Sequence, residues 1–90
     1  RLIVDMSITA FVQVAGGPTD FYIRIGSTDY LVINAFFNVL NSHQGSSGKL
    51  EVLNLAAGTY TCESRAACTG TTILSCDMND TISFTIKEVP

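Results

Sequence analysis

Tryptophan is absent from the chain, histidine occurs once, proline twice, and only five residues are basic. Each scarcity excludes something. With His43 as the sole histidine, any Ser-His-Asp or Cys-His arrangement must use it. It lies in the polar stretch 41–48, Asn-Ser-His-Gln-Gly-Ser-Ser-Gly, which reads as a flexible loop. Catalysis needs a rigidly supported side chain, so His43 reads as a solvated loop residue and the chain as no enzyme. Arg1, Arg24, Lys49, Arg65 and Lys87 do not cluster, and the net charge is −3, which argues against nucleic acid. No apolar run approaches the ~20 residues of a membrane-spanning helix. The three cysteines are odd in number and stand six and eight residues apart, which suits neither a disulfide framework nor a common zinc pattern. No metal or other cofactor is expected.

Charge is also scarce, at 14 % of residues against 47 % hydrophobic. That is too apolar for disorder. It is also little charge for a 90-residue monomer, whose surface is large relative to its core. Burial shared with other copies is one physical answer.

What fills the chain is alternation. In residues 1–14 Leu2, Val4, Met6, Ile8, Ala10, Val12 and Val14 occupy every even position, a strand with one dry face. Arg1 opens directly in this strand-like sequence, which fits a fragment of a longer chain. Ala15-Gly16-Gly17-Pro18 ends the strand. Phe21, Ile23 and Ile25 form the inner face of a second strand, with Tyr22 and Arg24 outward, and residues 26–29 turn. Residues 30–40 form a third strand that is apolar on both faces, with Leu31, Ile33, Ala35, Phe37 and Val39 on one side and Tyr30, Val32 and Phe36 on the other. Further strands are predicted at 49–55, 59–68, 71–76 and 81–89, the last with Ile82, Phe84 and Ile86 inward. About seven to eight short antiparallel strands make a single all-β sandwich over residues 1–90.

Strand reversal at each turn predicts that loops 15–20, 41–48 and 69–71 share one end with the C-terminus. Gly17, Thr19, His43, Gln44, Ser46 and Ser47 are the candidate binding residues there, since binding concentrates on loops carried by a rigid scaffold. Tyr30, Val32 and Phe36 are the candidate subunit interface, because exposed aromatic clusters mark contact surfaces. A turn centred on Thr69-Gly70 would place Cys62 opposite Cys76. The pair then reads as two buried thiols acting as small hydrophobes, or as a disulfide under oxidising conditions. Asp77, Asn79 and Asp80 read as turn chemistry rather than a cation site.

The stretch Leu55-Ala56-Ala57-Gly58-Thr59-Tyr60-Thr61 and the ending Ser83-Phe84-Thr85-Ile86-Lys87-Glu88-Val89-Pro90 resemble the closing strands of jelly-roll domains of the C1q and tumour-necrosis-factor type, found near the C-termini of phage tail fibres, tail spikes and related virion proteins. The resemblance covers roughly the last third of the chain. It implies a jelly-roll-like virion structural or receptor-binding module, a homotrimer made in the host cytoplasm, that contacts a host cell-surface glycan or protein. The chain is one strand short of an eight-stranded jelly roll. The competing reading is a monomeric carbohydrate-binding or immunoglobulin-like accessory module of a secreted bacterial protein.

Overall fold

The computed structural model describes residues 1–14, 17–37, 41–68, 73–75 and 80–89. These residues form two antiparallel sheets and no helix, consistent with a β-sandwich. The strands are β1 (Leu2–Val14), β2 (Gly17–Ile25), β3 (Thr28–Phe37), β4 (Gln44–Val52), β5 (Cys62–Cys68), β6 (Ile73–Ser75) and β7 (Ile82–Glu88). The expectation of seven to eight full strands is corrected: six strands are long, and β6 is a three-residue segment.

One sheet has β1 at its centre, with β4 on one edge and β6 and β7 on the other; the second has the order β3-β2-β5. The alternation of β1 does what its sequence predicts. Val4, Met6, Ile8, Ala10 and Val12 are buried, and from the facing sheet Phe21, Ile23, Ile25, Ile33 and Phe37 meet them. Burying each of the larger of these side chains contributes about 1.5–3 kcal/mol. Pro18 sits in β2 opposite Phe36, one residue outside the reach of β5, whose pairing begins at Thr19. Its missing N–H therefore costs no ladder bond on that side.

The β2–β3 hairpin is tighter than the 26–29 turn expected. Only Gly26 and Ser27 lie outside the ladder, with Ile25 opposite Thr28 and Arg24 opposite Asp29. Gly26 has φ 63°, the requirement at the first central position of a type II′ turn.

Five further expectations are overturned. Residues 44–48 are strand, not loop: β4 pairs with β1 from Gln44↔Ala10 to Val52↔Leu2. The edge of β1 offers unpaired N–H and C=O groups along its length, and the Gly/Ser segment satisfies them. Gly48 is required there by packing, since a Cβ at this position would lie 2.6 Å from the Val32 carbonyl oxygen and 2.9 Å from Ile33 Cγ1. Leu31 points outward, not into the core. Phe21 pairs with Ile33 but Tyr22 with Leu31, so Val32 is an extra residue, and this bulge reverses the facing of β3 before it. The predicted hairpin turn at Thr69-Gly70 lies outside the described residues, but the two strands it was expected to pair do not pair with each other. β5 pairs with β2 and β6 with β1. The C-terminal strand ends beside Arg1, with the Val89 amide donating to the Arg1 carbonyl at 2.9 Å, because β7 runs antiparallel to β1. Finally, residues 53–61, predicted to be largely strand, connect β4 to β5 outside either ladder.

Among the described residues the sandwich is closed on one side and open on the other. β3 and β4 lie against each other, whereas β5 barely meets β7. Ser64 and Ala66 of β5 stand opposite the buried Ile23 and Phe21 yet are exposed, and Ile82 of β7 is 39 % exposed.

Candidate binding surface

The outer face of the β3-β2-β5 sheet is built by strand alternation. Pro18, Asp20, Tyr22 and Arg24 point away from the core along β2, since Thr19, Phe21, Ile23 and Ile25 point into it. The register brings Phe36 beside Pro18, Asn34 beside Asp20, Leu31 beside Tyr22 and Asp29 beside Arg24. On the other flank Ala67, Arg65 and Glu63 stand beside Asp20, Tyr22 and Arg24. Phe36 is 63 % and Leu31 47 % exposed. Two large apolar groups thus lie open on one face, separated by a polar group.

That polar group is connected. Asn34 Nδ2 donates to Asp20 Oδ1, and Tyr22 Oη donates to Asp20 Oδ2 at 3.4 Å. Desolvation raises the Tyr22 phenol above its ordinary value, and the Asp20 carboxylate adds to the rise. At the hairpin end the Arg24 guanidinium holds Asp29 in a fork, Nε at 2.7 Å from Oδ1 and Nη2 at 3.1 Å from Oδ2. The hydrogen bond from Arg24 lowers the Asp29 carboxyl below its ordinary range. This group gains stability from its charged form, so the contribution is complete above the ordinary value of 3.8 and is lost as pH falls through the lowered one. The thermal midpoint of Asp29→Asn should therefore lie below that of the parent at pH 7, and the two should converge as the solution is acidified below about pH 4. A constant gap across that range would mean the fork contributes nothing as an ion pair.

The residues predicted at a loop end stand where β2 and β4 begin, and all but His43 belong to the strands themselves. Gly17 heads β2 opposite Phe37. Thr19 is fully buried, its Oγ1 3.5 Å from Cys68 Sγ, and has no surface to offer a ligand. Gln44 and Ser46 are half-buried on the inner side of β4, and Ser47 is exposed opposite Ser7. Of the predicted interface, Tyr30 and Val32 pack against the core and Phe36 stands outside it. Cys62 is a free thiol opposite Ile25 at the turn end of β2. Its predicted partner Cys76 lies outside the described residues, as do Asp77 and Asn79.

His43 lies in the loop just before β4 and its side chain is 43 % exposed, but it is held in place. Its Nδ1 lies 2.7 Å from Asp80 Oδ1, and its ring centroid lies 4.4 Å from that of Phe11. The Asp80 side chain is only 1 % exposed. A buried carboxylate orienting an imidazole is one element of hydrolytic sites, and it is equally a means of satisfying a buried acid. A concavity of about 330 Å³ lies near the termini, lined by Arg1, Leu55, Tyr60 and Glu88 among others. Tyr60 Oη donates to the carbonyl of Ala56, four residues upstream, and Tyr60 stands two residues before Cys62. This has the form of the tyrosine corner of Greek-key sandwiches. Among the described residues no three His, Cys, Asp or Glu side chains gather as a metal site requires.

No family model, curated protein or solved structure matches the chain. The functional reading therefore rests on residue geometry. Of the surface residues, Phe36 was visible in the sequence by its outward parity. Leu31 was not, because its facing depends on a bulge that no turn residue announces. The Arg24–Asp29 fork follows from a two-residue Gly-Ser turn once that turn is recognised, since the two residues then stand directly opposite.

Proposed function

We propose that the chain is a non-enzymatic β-sandwich module of a virion structural or receptor-binding protein, and that it contacts a host-surface polymer through the outer face of its β3-β2-β5 sheet. The observation that carries this reading is the joint exposure of Phe36 and Leu31 on one flat face, with the Asn34–Asp20–Tyr22 network between them. An exposed aromatic ring next to fixed carboxylate, amide and phenol groups suits a sugar polymer, whose rings present apolar faces and hydroxyl edges. The nested pairing of β1 with β7 and of β2 with β5 is in keeping with a rolled, Greek-key origin for the sandwich. In a virion such modules act in several copies, where avidity makes up for weak single contacts.

A monomeric immunoglobulin-like accessory module is the second reading, and the Tyr60–Ala56 corner favours it. The two readings part on what is recognised and in how many copies.

The test uses an array of bacterial surface polysaccharides, probed with the chain and with the double variant Leu31→Ala/Phe36→Ala. Both side chains are exposed, so the variant should fold. Binding to whichever polysaccharide the parent selects should weaken about tenfold or more. Unchanged binding would place recognition elsewhere.

A further inference from the structure

The four outer edges of the two sheets are not equally protected. β3 carries a bulge at Val32 and Asp29 near its start; β5 carries Glu63 and Arg65; β4 carries Lys49 and Glu51, and its remaining half is Gly- and Ser-rich and has no apolar side chain to pair. Bulges, charges and poor strand formers are the usual means by which an edge avoids pairing with another chain. In β7 the run Ile82-Ser83-Phe84-Thr85-Ile86 has no charge, no proline, no glycine and no register shift. Among the described residues no strand pairs with its outer edge.

The hydrogen-bond phase of β7 is fixed at both ends. Thr9 N donates to the Thr81 carbonyl at 2.7 Å, and Val89 N donates to the Arg1 carbonyl at 2.9 Å. Both pairs follow the β1–β7 register, in which Ser83, Thr85 and Lys87 stand opposite Ser7, Asp5 and Ile3. The odd residues of β7 therefore turn their N–H and C=O groups toward β1, and Ile82, Phe84 and Ile86 turn theirs outward. These are the residues whose side chains point to the core, and the cover over them is incomplete. Ile82 is 39 % exposed, and Phe84 and Ile86 are only half-buried.

We infer that this edge pairs with the β7 edge of a second copy of the chain, antiparallel across a twofold axis at Phe84. In that register Phe84 meets its twin, Ile82 meets Ile86 of the other copy and vice versa, and each of these pairs exchanges both backbone hydrogen bonds. Every inward apolar side chain meets another, and on the outer face Ser83 meets Thr85. A twofold interface must be self-complementary in this way. The result is one continuous sheet through both copies, with the apolar ends of both sandwiches covered where each is open. The inference is independent of the proposed function, because the pairing leaves the outer face of the β3-β2-β5 sheet free on both copies.

Sedimentation of the full chain over a range of concentrations should show a monomer–dimer equilibrium. Ser83→Lys/Thr85→Lys changes only exposed side chains, but sets lysines opposite each other across the axis, and should give monomer at all concentrations while keeping the parental circular dichroism spectrum. The register is read by cross-linking. Ser83→Cys/Thr85→Cys should yield an oxidised dimer by non-reducing mass analysis, since these residues form the close, non-hydrogen-bonded pairs. Thr85→Cys alone should not, as it would only in a register centred on Thr85. A monomeric parent overturns the inference, as does an assembly that survives the double lysine change. In either case the polysaccharide test is unaffected.

Discussion

Phe21→Ala should lower stability by about 3–5 kcal/mol, the range for emptying a fully enclosed aromatic site. Phe21 is 0 % exposed at the middle of β2, the central strand of its sheet, flanked by Ile33 on one side and Ala66 on the other. It also faces the buried row of β1. A backbone hydrogen-bonded on both edges cannot sink into the space left behind, so most of the cavity remains. In a domain of this size, whose whole stability is of order 5–15 kcal/mol, such a loss removes from about a fifth to all of the total. Urea denaturation followed by fluorescence or circular dichroism measures it. Phe36→Ala, the same change at a side chain 63 % exposed on β3, should cost less than about 0.5 kcal/mol. Similar costs at the two sites would mean that the core does not lie between the two sheets.

Gly48→Val should cost about 3 kcal/mol, and the thermal midpoint should fall by roughly 12–24 °C. The obstacle is backbone: the new Cβ would stand 2.6 Å from the Val32 carbonyl oxygen, which belongs to the bulge of β3. Side chains can rotate away, but a carbonyl held in a sheet moves only with its strand. Gly45→Ala, on the same strand but on its outer face, is the control. Its added methyl meets Thr9 Cγ2 at 3.6 Å and the Ile8 oxygen at 3.7 Å, ordinary contacts, so the midpoint should stay level or rise slightly as the unfolded chain loses freedom. A tolerant position 48 would mean that β3 and β4 do not approach as closely as described.

These two sites mark a difference in how legible the fold was. Phe21 declares itself, because Phe21, Ile23 and Ile25 alternate with Asp20, Tyr22 and Arg24. Gly48 sits in a run of Gly, Ser and Gln that carries every sign of a loop, and it is strand because β1 needed a partner on that edge and β3 needed room. The same holds at Leu31, where one bulged residue exchanged the faces of a strand whose both sides were apolar and so gave no clue to the exchange. His43 does stand in a loop with an exposed side chain, but once β4 begins at Gln44 the residue before it is placed beside Phe11 and Asp80.

Alternation of side chains along an extended backbone is a local property, so the sequence by itself determined that the chain is all-β, where β1 and most of β3 lie, and which faces of β1, β2 and β7 turn inward. Pairing is not local. Which strand lies beside which, and in which sheet, depends on backbone groups far apart in the chain that any strand of the right length can satisfy. Only the tertiary structure decided that β5 joins β2 and β7 joins β1, that the C-terminal strand ends beside Arg1, and that one side of the sandwich closes on a glycine while the other leaves Ile82 open.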